Sequence, residues 1–348
     1  MSDDDNCSLT NVIKTVWGGN APSSEVFLRW SQPIIFSEVE PAALVQLTGG
    51  PCGVLASLQA HIIRFHYFGN VNQSNVLIYA IHYMLTNAAS TNRAVYVCLP
   101  TALLNEEMEF DKLHSSIRLE KIDVRQPMDL RKYDSVFKGP FGMMLFIYGL
   151  VASRGVSLIQ QERFGCKYET SEGLIESVLG HGSIALTLLC LIGRALEHTF
   201  DGQRTLEGMT FNGIEDQPLI GYLSYLEVLR YVEIGSFLKN PLYPIWLLAT
   251  ESHITVLFSK TKNIPGQDFQ MIRARGVFNL HDTESRGFVS VDELKLMLDE
   301  LNLESDQSYV EFLIKRLDPD DLGIILRQPF LCEVCPRYAT LVCQLHSN

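Results

Sequence analysis

A cysteine follows a diglycine turn in Gly49-Gly50-Pro51-Cys52 and opens an apolar run, Gly53-Val-Leu-Ala-Ser-Leu-Gln-Ala-His61, at helical spacing. A thiolate at the mouth of a helix faces free backbone N–H groups and the positive end of the helix dipole, which stabilise it as a nucleophile. Six residues upstream stands Gln46, whose side-chain amide is the kind of donor that holds a developing oxyanion. A later strand-like stretch, Ala249-Thr-Glu-Ser-His253-Ile-Thr-Val-Leu-Phe258, supplies an imidazole. Thiol, imidazole and amide are the parts of a thiol hydrolase that works through an acyl-enzyme.

Each part also has a plainer reading. Buried cysteines at helix starts are common, and on spacing alone Gln46 fits a solvated residue ahead of a turn. The histidine must be chosen from nine. His61 and His66 lie on the cysteine's own helix, and His82 and His198 sit in helical patterns. His114, His281 and His346 occupy polar segments without an evident scaffold. His181, between the glycines of Gly180-His-Gly182, is the competitor. His253 opens an apolar strand after a polar turn, the rigid mount a general base needs. It is favoured over His181, and both stay open at this point.

The elements that must position these groups read as a mixture of helices and strands. A first helix spans residues 8–17, capped by Ser8 and stopped by Trp17-Gly-Gly-Asn. Val26–Trp30 and Ile34–Phe36 flank Pro33 and read as an extended approach to the cysteine. Residues 53–67 are helical, with Val54, Leu55, Leu58, Ile62 and Phe65 on one spacing. A second such helix covers 72–88. Short strands are expected at 94–99 and 115–124, and strongly apolar core helices at 139–153 and 183–196. Residues 222–231 read as a helix, and 244–250 with 253–259 as a hairpin. The fold class is α+β.

From about Asp268 the pattern changes. Phe278-Asn-Leu-His-Asp-Thr-Glu-Ser-Arg-Gly-Phe-Val-Ser-Val-Asp-Glu293 resembles an EF-hand loop, with Asp282 first, Gly287 at the sharp sixth position and Glu293 twelfth. A poorer copy starts at Asp318, with Gly323 sixth but Pro329 twelfth. Val289 and Ile325, the eighth residues, would pair as a short ribbon. Arg286 puts a cation where a calcium oxygen ligand belongs. The expectation is a helical module at 268–335 that kept the fold and lost the ion, behind a catalytic domain at 8–265, with calcium binding absent or weak.

Composition bounds the function. The chain has 348 residues, 47% hydrophobic and 20% charged, with a formal charge of −12. That is a folded protein, and its acidity argues against nucleic acid, which needs concentrated Lys and Arg. The acidic start is unlike a signal peptide, and the longest apolar stretches are too short to span a bilayer. A nuclear or cytoplasmic location, where thiols stay reduced, and no membrane association are expected. Of eight cysteines only Cys332 and Cys335 have a metal-type spacing. Two ligands do not make a zinc site, so neither metal nor cofactor is expected.

The run Leu44-Val-Gln46-Leu-Thr-Gly-Gly-Pro-Cys52-Gly-Val-Leu resembles the active-site segment of the MINDY deubiquitinases. The likeness continues through Gly180-His-Gly182-Ser, Phe200-Asp-Gly202, Tyr225-Leu-Glu-Val-Leu-Arg-Tyr231 and Gly235-Ser-Phe-Leu-Lys-Asn. It closes with Tyr243-Pro-Ile-Trp246-Leu-Leu-Ala-Thr-Glu-Ser-His253-Ile-Thr-Val, and the C-terminal module is similar to the family member with an EF-hand-like region. Between roughly Ser90 and Lys132 the chain is compressed relative to that pattern. The resemblance implies a papain-like cysteine isopeptidase acting on ubiquitin and polyubiquitin, with a preference for the linkage that marks proteins for the proteasome. It assigns Cys52 as nucleophile, His253 as general base and acid, and Gln46 as oxyanion donor; Gly180-His181-Gly182 is left as a structural turn. The rival expectations are a catalytically silent ubiquitin-binding scaffold and a Cys-His acyltransferase.

Overall fold

A computed structural model describes residues 8–89, 94–164, 172–206, 209–261, 269–284 and 286–335, and in them helices and short strands mix, as an α+β chain requires. Cys7, Cys166, Cys343, His346 and the expected boundary at 265–268 lie outside the described residues. The chain forms two compact units. One holds the residues up to Glu197 together with Ile245–Lys260, the other His198–Pro244 and the chain from Thr261 onward. Residues 198–244 thus group with the C-terminal part, where the sequence division kept them with the catalytic part.

The core of the first unit is built on Gly142–Arg154, buried along its whole length, which is why its sequence is apolar on every face. It packs against Leu9–Trp17, Val76–Ala89 and the strand Val95–Pro100. That strand pairs antiparallel with Ile117–Ile122, from Val95 opposite Ile122 to Pro100 opposite Ile117. Ile184–Ile192 starts at a Ser183 hydroxyl that accepts the Leu186 N–H and stops at the left-handed Gly193. The cysteine helix, Cys52–Ile63, lies on Val76–Ala89 and Ile184–Ile192. A π turn over Arg64–Phe68 extends it. The hairpin of Ile245–Ala249 and Ile254–Phe258, in the expected place, packs on the same helix.

One element of this unit differs from its expectation. Ser24–Trp30 is a helix, not an extended segment: the Ser23 hydroxyl accepts the Val26 N–H, and Val26, Phe27 and Trp30 share the buried face. The reading of an extended approach flanking Pro33 took no account of that cap.

Two histidines are held here as neutral rings, His61 buried and His114 half-buried. His61, on the cysteine helix, lies 4.8 Å from the Tyr83 ring, and burial, helped by the Arg64 charge, lowers its pKa to about 3. His114 is on a scaffold after all, the helix Phe110–His114, with Nε2 2.7 Å from the Tyr148 hydroxyl. Burial lowers its pKa to about 4. Below about pH 6.5 the unfolded chain takes up protons that these rings refuse, so stability is full above that pH and is lost as the pH falls. Denaturant titrations at about pH 6.5 and about pH 5 are expected to differ by roughly 3 kcal/mol. A flat profile over that range would show that neither ring is held neutral.

In the second unit, Gln203–Leu206 and Met209–Asn212 form a hairpin. The helix expected at 222–231 is instead a strand, Gly221–Ser224, followed by a single helical turn, Tyr225–Val228. The Ser224 hydroxyl caps that turn by accepting the Leu226 N–H, and Arg230, with φ +62°, ends it. Further on, Phe269–His281, Leu294–Glu300, Gln307–Leu317 and Arg327–Val334 enclose a small core around Phe278, Leu298, Leu313 and Phe330. Val289 pairs with Ile325, as their spacing predicts. The Asp282 carboxylate accepts the Arg286 and Gly287 N–H groups, and Asp318 does the same for Leu322 and Gly323. Arg286 pairs with Glu284 at 3.5 Å. His281, read as lying without a scaffold, ends the Phe269–His281 helix, with its ring 2.6 Å from Glu293 and 3.2 Å from Glu300.

Candidate active site

Cys52 is the first residue of its helix and is 9% exposed. Its N–H belongs to the first turn, which has no intrahelical acceptor, and it makes no hydrogen bond among the described residues. The turn before it needs glycine. Gly50 has φ +125°, and a Cβ there would sit 3.1 Å from the Trp30 ring nitrogen. That indole donates to the Gly180 carbonyl at 2.9 Å, so the Gly180-His181-Gly182 segment supports the turn through Trp30. Gly53 is equally constrained: a Cβ would lie 2.5 Å from Thr187 Oγ1 on the neighbouring helix. The cysteine helix is therefore seated at its N-terminus by close contact with Ile184–Ile192.

Gln46 sits on a segment held from both sides by other glutamine side chains. Gln59, two turns along the cysteine helix from Cys52, accepts the Leu44 N–H at 2.6 Å and donates to the Ala42 carbonyl at 2.8 Å. Gln32, buried, accepts the Leu47 N–H at 3.0 Å and donates to Thr48. The Gln46 amide gives one N–H to the Thr48 carbonyl at 3.0 Å, and its second has no partner among the described residues. Gln59→Leu removes one end of this clamp. Hydrogen exchange at the Leu44 amide is expected to speed up by about tenfold or more; an unchanged rate would show that Gln59 does not hold the segment.

His253 opens its strand after a tight turn. The Thr250 N–H donates to the His253 carbonyl at 2.8 Å, and the His253 N–H donates to the Thr250 hydroxyl at 3.2 Å. The ring is exposed and has no hydrogen-bond partner among the described residues. Among the described residues no third residue orients it: Thr255 makes no bond to it, and Asp282 is engaged by its own loop.

Cys52, Gln46 and His253 line one cleft of about 600 Å³. His181 does not, and its role is backbone: its carbonyl accepts the Glu176 N–H at 2.8 Å. His61 is enclosed on the far side of the cysteine helix from the cleft's lining, packed on Tyr83. Two other thiols of the same unit are poor nucleophiles by position, since burial pushes Cys98 up to about 12 and raises Cys190 as well. Trp30, Gln32, Gln59 and Thr187 were missed in the sequence. Only Gln59 left a trace there, seven residues after Cys52 and hence on its face of the helix.

A nucleophile at a helix start, an imidazole and an amide donor around one cleft suit acyl transfer from a carbonyl. Residues 14–281 match the family model described as "Deubiquitinating enzyme MINDY-3/4, conserved domain". The chain is 33% identical over 373 residues to ubiquitin carboxyl-terminal hydrolase MINDY-3 of Xenopus tropicalis, with 95% of this chain and 83% of that one covered. It is 32% identical to the Homo sapiens MINDY-3 (93% and 82% covered) and 30% identical to the Drosophila melanogaster homolog (94% and 70%). No solved structure matches the chain.

Proposed function

The chain belongs to the MINDY-3/4 family of deubiquitinating enzymes, and from that premise we propose that it hydrolyses isopeptide bonds of ubiquitin chains by a papain-like route through Cys52. The observation that carries the residue roles is that Cys52, Gln46 and His253 share a cleft. His253 takes the Cys52 proton, and the thiolate attacks the carbonyl of ubiquitin's last glycine. The Cys52 N–H and the free Gln46 N–H hold the oxyanion, each such donor being worth about 2.7–4 kcal/mol of barrier in comparable sites. His253 then protonates the departing lysine amine, and water releases the acyl group.

The preferred substrates in this reading are polyubiquitin chains of the proteasome-targeting linkage, met in the nucleus, the cytoplasm or both, with neither nucleic acid nor membrane as partner. The C-terminal module is EF-hand-like in its paired loops but unsuited to tight calcium binding. Support for that comes from Arg286 at the fifth loop position and from Asp282, both of whose carboxylate oxygens already accept backbone N–H groups.

A ubiquitin probe ending in a thiol-reactive electrophile tests the function directly. The expected result is one adduct, mapped by mass spectrometry to Cys52. A chain that binds ubiquitin but stays unlabelled would be a silent scaffold, and the assignment would fall.

A further inference from the structure

The cleft continues well beyond Cys52. Its floor is one face of the cysteine helix, through Leu55, Gln59 and Ile63 to Tyr67. One wall is the segment that carries Gln46; the other is the strand Ile254–Phe258, which among the described residues pairs only on its Ile245–Ala249 side. At the far end the rings of Tyr67 and Phe258 stack at 5.5 Å, and the Lys260 ammonium lies 4.8 Å from the Tyr67 centroid.

Resting on the function proposed above, we infer that the tail of ubiquitin binds as an added strand on the free edge of Ile254–Phe258, antiparallel to it. The hairpin register determines which backbone groups are available. The Thr250 N–H bond to the His253 carbonyl marks those two residues as a hydrogen-bonded pair. Bonded pairs alternate in an antiparallel ladder, so Leu248–Thr255 and Trp246–Leu257 are the next ones. The N–H and C=O groups of Ile254, Val256 and Phe258 therefore point away from the partner strand. They make no other backbone hydrogen bond among the described residues, and the same three residues line the cleft.

Polarity follows from His253. The strand begins beside the catalytic groups and runs away from them, whereas the tail must arrive with its C-terminal carbonyl at Cys52. The two therefore run in opposite directions, the arrangement with straight ladder bonds. Five strand residues span about 17 Å and pair with about five tail residues. The tail's two terminal glycines then occupy the end next to Cys52, and its earlier residues reach Tyr67 and Phe258.

The test starts from the adduct of the whole chain with the electrophilic ubiquitin probe, followed by hydrogen exchange read at single residues. The amides of Ile254, Val256 and Phe258 are expected to slow by about tenfold or more on adduct formation. Those of Thr255 and Leu257, already bonded within the hairpin, should not change. A second probe, N-methylated on the tail amides that face the edge, should label Cys52 at least about tenfold more slowly. A Cys52 adduct with unchanged exchange at the three amides, or equal labelling by both probes, overturns the strand addition while leaving the function standing. Absence of any adduct overturns the function itself.

Discussion

Replacing Cys52 by alanine is expected to lower the rate of ubiquitin-chain cleavage by about 10⁴-fold or more and to leave the fold unaltered. In the proposed mechanism Cys52 is the nucleophile, and its removal ends covalent catalysis: Cys98 and Cys190, the other described thiols of the same unit, are buried in the core and hold their protons. The substitution itself is mild. Cys52 touches solvent through the cleft, alanine favours the helix, and the seat of the helix is made by Gly53 against Thr187. The thermal midpoint should therefore move by no more than about 2 °C. His253→Ala should lose a comparable factor, since the thiol then has no base, while Gln46→Ala should lose about 10²–10³. Steady-state cleavage of a purified ubiquitin chain by the three variants is the measurement. Cleavage by Cys52→Ala within tenfold of the parent would remove this cysteine from the chemistry.

The largest expected effect on stability lies away from the cleft, at Glu162. Its carboxylate is buried and receives a bidentate pair from Arg154, a further bond from Arg194 at 3.3 Å and the Ala195 N–H at 3.0 Å. Arg154 also donates to the Ala88 carbonyl at 3.2 Å. One charged pair thus joins the ends of Val76–Ala89, Gly142–Arg154 and Val156–Phe164 to the chain that leaves Ile184–Ile192. Glu162→Ala strands the Arg154 guanidinium in a buried site, and the expected cost is about 3–5 kcal/mol. Removing both charges, with Arg154→Met and Glu162→Met together, should recover much of that, because an apolar pair needs no desolvation of ions. Urea unfolding of the single and double variants separates these outcomes. A loss below about 1 kcal/mol in Glu162→Ala would show that water reaches the pair.

Features that depend on neighbours in the chain were legible in the sequence. Ser8 caps the helix it was expected to cap, because an N-cap bond closes within three residues. The cysteine helix and the hairpin that carries His253 stand where periodicity put them. The two clear misses have the same origin. Ser24–Trp30 and Gly221–Ser224 are short, and apolar runs of that length suit a helix or a strand equally until the rest of the fold chooses which face to bury.

The same division applies to the site. By itself the sequence determined the cysteine at a helix start, the glycine turn before it and the glutamine six residues upstream, all set by local geometry. It left His181 and His253 as competitors, since nothing local says which of two distant rings will meet a given helix. Only the tertiary structure decided that His253 shares the cleft with Cys52 while the His181 segment buttresses Trp30 from behind. It alone supplied Gln32 and Gln59, whose amides hold the Gln46 segment from opposite sides. Those bonds join residues 15 apart or more through side chains, and side-chain amides have no periodicity to betray them. Packing of the hairpin against the cysteine helix likewise created the open strand edge beside the thiol, a feature that no single stretch of the chain contains.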